Sequence, residues 1–104
     1  MIAPNDRPRI ALTIAGSDPS GGAGIQGDLR TFAAFDVHGL SAITCLTVQG
    51  TRGVRAVEPI APRLVRAQIE EVLADVRTDV VKTGALATDA IVKVVLEVMA
   101  ARRR

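Results

Sequence analysis

The stretch Ile10–Leu29 reads IALTIAGSDPSGGAGIQGDL and decides the fold of this chain. Its first six residues form a short apolar run, which is typical of a strand buried on both faces of a parallel sheet. Pro19 and the pair Gly21 and Gly22 exclude regular structure from the loop that follows. Apolar residues then recur with helical spacing and predict a helix over Gly24–Phe35. The stretch is therefore predicted to be a strand, a loop and a helix of an α/β protein.

The rest of the chain alternates between the same two element types. Two β-branched, apolar runs predict further strands, at Leu40–Val48 and Asp79–Thr83. Two amphipathic segments predict helices, at Pro62–Val76 and, behind the N-cap Thr88, at Asp89–Ala101. The predicted order is β-α-β-α-β-α, which indicates an α/β fold with a parallel sheet and right-handed crossovers.

The predicted domain is a single unit over residues 1–104. Residues 1–9 contain two prolines and three charges and lack the apolar centre of a signal peptide, so we expect a flexible leader. Gly50 and Gly53 mark a turn, and Arg55–Pro59 is interpreted as a short extended piece. Three strands make a thin sheet with an unpaired edge on each side. We therefore expect the N-terminal part of a larger α/β domain whose C-terminal half is absent.

Composition argues against several classes of partner. The net charge is +2, from 13 basic and 11 acidic residues, and three of the positives are the terminal Arg102, Arg103 and Arg104. With two Phe and no Tyr or Trp, the chain offers almost no stacking surface to single-stranded nucleic acid. No apolar run approaches the roughly 20 residues of a membrane span. The lone Cys45 cannot form an intrachain disulfide, so a buried thiol in a reducing cytoplasm is expected, and a Cys45–His38 catalytic pair is disfavoured.

The glycine-rich loop leaves more than one interpretation open. Gly16 and Gly21 have the spacing of a P-loop, but Gly22 and Ala23 stand where that motif needs Lys and Ser or Thr. Residues 22–27 match G-x-G-x-x-G, which keeps a dinucleotide-binding unit open, although the match begins too far from its strand for the usual tight turn. A loop with a purely structural role also remains possible, because glycine permits close packing of a helix on a strand.

Asp28 and Gln49 are the candidate ligand-binding side chains. Ligands of open α/β sheets bind beyond the carboxyl ends of the strands, and Gln49 is predicted to end the second strand there. The loop after the first strand and the segment Gly84–Leu86 leave from the same edge. A carboxylate accepts hydrogen bonds and an amide both donates and accepts, so the pair could hold a heterocycle. Stabilisation of a helix start by Asp28 and capping of a strand end by Gln49 are the structural alternatives.

The block AGSDPSGGAGIQGDLRTFAAFDVHGLSAITCLTVQGTRGV, with VLADVRTDVVKTGAL further on, resembles the hydroxymethylpyrimidine/phosphomethylpyrimidine kinases of thiamine biosynthesis. That family has the ribokinase-like three-layer fold and is related to pyridoxal kinases. The resemblance implies a pyrimidine pocket in which Asp28 and Gln49 hydrogen-bond the substrate and Gly16 and Ala23 line the wall. Ala85 stands where the family usually has a Met beside the pyrimidine, which implies a looser wall.

The resemblance also implies what lies elsewhere in the protein. Members of the family use ATP and Mg²⁺, are more than twice as long as this chain, and carry most of the ATP site in their later half. We therefore expect no catalytic residue and no metal ligand in this chain, which alone should be inactive. A homodimer is expected for the full-length protein. Lys82 could contact a phosphate but is more readily interpreted as a solvated lysine at a strand end. A pyridoxal-type kinase and a ligand-binding product without activity remain as alternatives.

Overall fold

A computed structural model describes residues 7–102 of the chain. Over this range the elements are, in order, β1 (Arg9–Ala15), α1 (Gly24–Ala34), β2 (Val37–Ile43), β3 (Cys45–Gly50), β4 (Gly53–Pro59), α2 (Pro62–Asp75), β5 (Val80–Thr83) and α3 (Asp89–Arg102).

The strand β1 lies at the centre of a three-stranded sheet of order β2-β1-β5. Both of its neighbours run parallel to it, with Leu12 opposite Leu40 in β2 and Val81 in β5. Since side chains alternate between the two faces of a strand, Leu12 and Ile14 point to one face and Thr13 to the other. The α/β class and the parallel sheet predicted from the sequence are confirmed.

The two faces of the sheet are covered by different helices. Leu12 and Ile14 are fully buried in a core with residues of α2 and α3. On the opposite face, the Thr13 hydroxyl bonds a side chain of α1, and Gly39 of β2 lies against Leu29 of the same helix. The helix α1 therefore packs on one face and α2 and α3 on the other, which gives three layers.

The second strand predicted over Leu40–Val48 is wrong, because Thr44 divides it into β2 and β3. The backbone N–H of Thr44 donates to the Ala15 carbonyl at 2.9 Å, and its carbonyl accepts from the N–H of Ile60 at 2.8 Å. These bonds turn the chain out of the parallel sheet. No Gly or Pro marks the break, so the apolar run looks continuous in the sequence.

The strands β3 and β4 form an antiparallel hairpin outside the main sheet, with a register shift between Val48 and Gln49. The extended piece predicted at Arg55–Pro59 is part of its second strand. The predicted position of Gln49 is therefore wrong, since this residue lies in the hairpin and not at the end of a parallel strand. The observed order is β-α-β-β-β-α-β-α.

The smaller expectations about element ends are largely confirmed. Asp36 follows α1 in the left-handed conformation, with φ of 59°, and the Thr88 hydroxyl caps α3 by accepting from the N–H of Ile91 at 3.2 Å. The leader ends earlier than expected, because Arg9 already belongs to β1. Its residues 1–6, and the terminal residues 103–104, lie outside the described residues. Between residues 7 and 102 no helix has the length and apolar character needed to cross a membrane.

The side chain of Gln68 in α2 hydrogen-bonds the backbone of Ile43 at the end of β2, as a neighbouring strand would. Its Oε1 accepts from the N–H of Ile43 at 2.9 Å, and its Nε2 donates to the carbonyl of the same residue at 2.9 Å. An amide has one donor group and one acceptor group, so it can satisfy both backbone groups of a strand residue. This pair of hydrogen bonds, here called the clamp, fixes the last residue of β2 before the chain turns at Thr44.

We expect Gln68→Ala to lower the free energy of unfolding by about 1–3 kcal/mol, because both backbone groups of Ile43 lose a partner. Glu71→Ala, at an exposed position of the same helix, is the control and should change it by less than about 0.5 kcal/mol. Urea unfolding followed by circular dichroism measures both. Equal stability of the Gln68→Ala variant and the unsubstituted chain would contradict the role of the clamp.

Candidate functional site

A cavity of about 250 Å³ opens where β1 ends and the hairpin begins. Its wall combines the loop after β1, the strands β3 and β5, and the loop after β5. The lining residues are Ala15, Gly16, Ser17, Ala23, Gly24, Thr47, Gln49, Lys82, Gly84 and Ala85. A larger depression of about 530 Å³ lies at the hairpin tip, but residues 50–55 of a single turn line it. The smaller cavity is the candidate site, because polar groups from separate elements converge there.

The loop after β1 is built around the carboxylate of Asp18, which is 2% exposed. This carboxylate accepts hydrogen bonds from the Ser20 hydroxyl at 2.7 Å, the Ser20 N–H at 2.9 Å and the Ala23 N–H at 2.8 Å. The Ser20 hydroxyl first, and then the backbone N–H groups, hold the pKa of Asp18 below its usual range although burial opposes them. An ionised Asp18 therefore fixes the path of the loop.

Several N–H groups of this loop are already used within the protein. Those of Ser20 and Ala23 bond Asp18, and those of Ser17, Gly21 and Ile25 donate to carbonyl oxygens at 2.9–3.0 Å. A phosphate cradle needs such groups to point at the ligand. Within the G-x-G-x-x-G match at residues 22–27, the N–H groups of Ala23, Ile25 and Gly27 are thus engaged inside the protein, which disfavours a pyrophosphate cradle there.

Two glycines are required by close approaches next to the cavity. A Cβ atom at Gly16 would lie 2.5 Å from the Sγ of Cys45. Gly24 has φ of +59°, and a Cβ atom there would lie 2.4 Å from the Gly16 carbonyl oxygen. The N–H of Ile25 donates to that same carbonyl at 2.9 Å. The start of α1 is thus held directly against the end of β1, which brings Ala23 to the cavity wall.

The loop after β5 is tied to the cavity by Thr44. The hydroxyl of this fully buried residue donates to the carbonyl of Ala85 at 2.6 Å. The N–H of Gly84 donates to the carbonyl of Ile14 at 2.9 Å. Consequently Ala85 is held at the wall from two directions, by the end of β1 and by the turn between β2 and β3.

The hairpin is tied to the glycine-rich loop by Ser17 and Thr47. The Thr47 N–H donates to the Ser17 hydroxyl oxygen at 3.2 Å, and the Thr47 hydroxyl lies 2.8 Å from the Ser17 carbonyl oxygen. The same hydroxyl oxygen is 3.2 Å from Oε1 of Gln49. The Gln49 amide therefore reaches the cavity from a strand that is fixed to the opposite wall.

Asp28 lies next to the cavity but not in its lining. Its carboxylate receives hydrogen bonds from the Lys82 ammonium group at 2.8 and 2.9 Å and from the Thr13 hydroxyl at 2.6 Å. Partial burial raises the pKa of Asp28, but the Lys82 and Thr13 hydrogen bonds and the Lys82 charge outweigh it, so the pKa lies below its ordinary value. An ionised Asp28 therefore holds the lysine that does line the cavity.

The structure brings together most, but not all, of the predicted site residues. Gly16, Ala23, Gln49 and Ala85 line one cavity, whereas Asp28 reaches it only through Lys82. Lys82 lies near the end of β5 with 47% of its side chain exposed, as expected of a strand-end lysine, and its ammonium group is in addition paired with Asp28. Whether these residues bind a ligand stays a prediction.

Sequence reasoning missed Asp18, Thr44 and Thr47. The Asp-Pro-Ser sequence at residues 18–20 is a turn signal that could have identified the first of them, because Asp side chains bond backbone N–H groups two residues ahead. Thr44 and Thr47 carried no signal, since both lie in an apolar run and act on residues far away in sequence. Cys45 is free and buried, as expected.

We expect Gly16→Ala to destabilise the protein by about 1–3 kcal/mol, because the added methyl group overlaps the Cys45 sulfur. The matched background is Cys45→Ala, which removes the sulfur. There the same substitution should cost less, since the next atom, the Cys45 carbonyl oxygen, is 3.5 Å away. A double-mutant cycle by urea unfolding measures the coupling. Equal costs of Gly16→Ala in the two backgrounds would contradict the contact.

We expect the stabilising effect of Asp28 to depend on pH. Its pKa in the folded protein is below the ordinary value of 3.8, so its contribution is present above that value and is lost as the pH falls through the folded-state pKa. The stability difference between the unsubstituted chain and Asp28→Asn should therefore be largest near neutral pH and shrink below about pH 4. Unfolding curves at several pH values test this, with Glu71→Gln as the control. A difference that stays constant over the whole range would refute the ion pair's role.

Comparison with known proteins gives consistent matches. The family model described as phosphomethylpyrimidine kinase matches residues 18–104. The hydroxymethylpyrimidine/phosphomethylpyrimidine kinase of Escherichia coli is 56% identical over 87 residues, which are 84% of this chain and 33% of that protein. The enzyme of the same name from Streptomyces coelicolor is 43% identical over 102 residues, 96% of this chain and 38% of the relative. The chain thus spans about a third of the length of these relatives.

Solved structures agree with the sequence matches. A phosphomethylpyrimidine kinase from Clostridium difficile superposes with a TM-score of 0.86 at 44% identity, over 89% of this chain and 40% of that one. A pyridoxal kinase from Staphylococcus aureus, solved with AMP-PCP and pyridoxal, gives a TM-score of 0.81 at 37% identity, over 92% of this chain and 36% of that one. These neighbours confirm the ribokinase-like fold. The chain belongs to the phosphomethylpyrimidine kinase family.

Proposed function

We propose that this chain supplies the pyrimidine-binding part of an ATP-dependent kinase of thiamine biosynthesis. The substrates of that kinase would be 4-amino-5-hydroxymethyl-2-methylpyrimidine and its monophosphate. Family membership supports the reaction class. The convergence of Gly16, Ala23, Gln49 and Ala85 on one cavity is the observation that carries the assignment of the substrate side to this chain.

The chemistry of the cavity suits a small heterocycle. Gly16, Ala23 and Ala85 add little side-chain bulk, which leaves room for a flat ring between the loop walls. The Gln49 amide can both donate to and accept from the edge of such a ring. Three sets of hydrogen bonds would keep these walls in place before the ligand arrives. They are made by Asp18, by Thr44 and by the Ser17–Thr47 pair. A preformed cavity lowers the ordering cost of binding.

The sites for ATP and Mg²⁺ are proposed to lie mostly outside this chain. Within residues 22–27 of the glycine-rich loop, the N–H groups of Ala23, Ile25 and Gly27 are bonded inside the protein and are not free to receive a phosphate. Among residues 7–102 no group of three or more His, Cys, Asp or Glu side chains could hold a metal ion. We propose that both groups bind the part of the full-length enzyme that lies beyond the third covered by this chain. The contribution of this chain to the reaction would be to bind the pyrimidine and orient its hydroxymethyl group.

A pyridoxal-type kinase is the second candidate. Pyridoxal kinases of S. aureus and Bacillus subtilis superpose with TM-scores of 0.81 and 0.84 at 37% and 38% identity. Pyridoxal is also a ring with a hydroxymethyl group, so the same cavity could receive it. Competition between the two ligands distinguishes the candidates, because the proposed function requires tighter binding of the pyrimidine.

We also propose that the full-length protein is a homodimer in the cytoplasm, without nucleic-acid or membrane partners. The hairpin exposes large apolar side chains, with Leu46 and Val48 on β3 and Val54 and Val57 on β4 each about half accessible. Exposed apolar patches of this kind mark interaction surfaces. A free, buried Cys45 accords with a reducing compartment.

The direct test measures the binding of 4-amino-5-hydroxymethyl-2-methylpyrimidine to the chain by isothermal titration calorimetry. We expect Gln49→Ala to weaken binding about tenfold, because the ring loses its paired hydrogen bonds. Asp28→Ala should also weaken binding, because Lys82 in the cavity wall loses the carboxylate that holds it. Glu71→Ala, at an exposed position of α2 and outside the lining, is the control for effects on folding. Unchanged affinity in both Gln49→Ala and Asp28→Ala would overturn the site assignment.

A further inference from the structure

The inference begins with the surroundings of the Thr47 hydroxyl. Its oxygen lies 2.8 Å from the carbonyl oxygen of Ser17 and 3.2 Å from Oε1 of Gln49. The Thr47 backbone N–H is held by the Ser17 hydroxyl oxygen at 3.2 Å. Thr is β-branched, and its χ1 angle is restricted in a strand. The hydroxyl is therefore a fixed point beside the Gln49 amide.

The Thr47 hydroxyl has one proton and cannot donate it to both neighbouring oxygens. A Thr hydroxyl has one proton to donate and two lone pairs that accept. The Ser17 carbonyl is the closer acceptor and takes the proton. The Gln49 Oε1 then faces an oxygen without a proton between them. A half-turn of the Gln49 amide exchanges its oxygen and nitrogen, which places an Nε2 proton against the free lone pair of Thr47.

We propose that Thr47 is a positioning residue that holds the Gln49 amide with Nε2 towards Thr47 and thereby selects the edge of the heterocycle that the cavity accepts. This proposal rests on the proposed function and deepens it. It assigns a specificity-determining role to the Thr47 hydroxyl, which would act through the Gln49 amide.

The consequence for the ligand follows from the geometry of a primary amide. One Nε2 proton lies on the side away from Oε1, and in the proposed arrangement this proton bonds the Thr47 hydroxyl oxygen. The other Nε2 proton and Oε1 remain side by side and present one donor and one acceptor to the cavity. A 4-aminopyrimidine offers the complement, because its ring nitrogen accepts beside an amine that donates.

The fixed order of donor and acceptor also orients the ring. In the 4-oxo analogue the carbonyl accepts and the neighbouring ring N–H donates, which is the reverse order along the edge. That analogue can pair with the same amide only after turning its face over. The turn carries the 5-hydroxymethyl group to the opposite side of the cavity. Thr47 would therefore determine both which pyrimidine binds and where the hydroxymethyl group points.

The test compares two ligands, 4-amino-5-hydroxymethyl-2-methylpyrimidine and its 4-oxo analogue, by titration calorimetry. We expect the unsubstituted chain to prefer the 4-amino ligand and Thr47→Val to reduce the ratio of the two dissociation constants about fivefold or more. Thr47→Ser keeps the hydroxyl and should restore the preference. Thr78→Val is the matched control, because the Thr78 hydroxyl also donates to a backbone carbonyl, that of Val76 at 3.1 Å, away from the cavity lining.

The outcomes separate this proposal from the proposed function. Equal weakening of both ligands by Thr47→Val, or an unchanged ratio, would contradict the positioning role while the pyrimidine site stands. Failure of the unsubstituted chain to bind either ligand would contradict the proposed function and the inference with it. A ligand-free readout is the side-chain amide signal of Gln49 in nuclear magnetic resonance spectra. One of its two protons should exchange slowly in the unsubstituted chain and faster in Thr47→Val, and equal exchange rates would contradict the proposal.

Discussion

The site depends on the hydrogen bonds that the ionised carboxylate of Asp18 accepts. This carboxylate lies in the loop between β1 and α1 and is almost completely buried, yet it accepts three hydrogen bonds from residues up to five positions ahead. A buried charge is costly without such partners, so the loop is stable only on a path that supplies them. This path brings Ala23 to the wall of the cavity and Gly24 into contact with the backbone of Gly16.

The other walls are fixed to this loop by side chains from distant parts of the chain. Thr44 bonds the loop after β5 through Ala85, and Thr47 bonds Ser17 in the glycine-rich loop. Among the described residues, no buried side-chain nitrogen or oxygen lacks a hydrogen-bond partner. Networks in which every buried polar group is satisfied rigidify a structure. The walls of the cavity are thus joined to one another by a few polar bonds.

The sequence predicted the elements that follow from apolar periodicity and short-range capping. The strand β1, the three helices and the N-cap at Thr88 belong to this group, because their signals lie within one turn or one strand. The break at Thr44 was missed, since it depends on bonds to Ala15 and Ile60 and not on a local breaker residue. For the same reason Gln49 was assigned to the wrong kind of strand. Asp28 was expected in the cavity, but Lys82, which is 54 residues away, intervenes between them.

The most direct test of the central claim is a titration of the chain with 4-amino-5-hydroxymethyl-2-methylpyrimidine. The backbone amide resonances of the chain are recorded by nuclear magnetic resonance during the titration. The claim is that the glycine-rich loop is the wall of a heterocycle pocket and not a phosphate cradle. It predicts shifts that cluster at the amides lining the cavity, namely Gly16, Ser17, Ala23, Thr47, Gln49 and Ala85. Shifts confined to the hairpin tip at residues 50–55, or no shifts at saturating ligand, would contradict it.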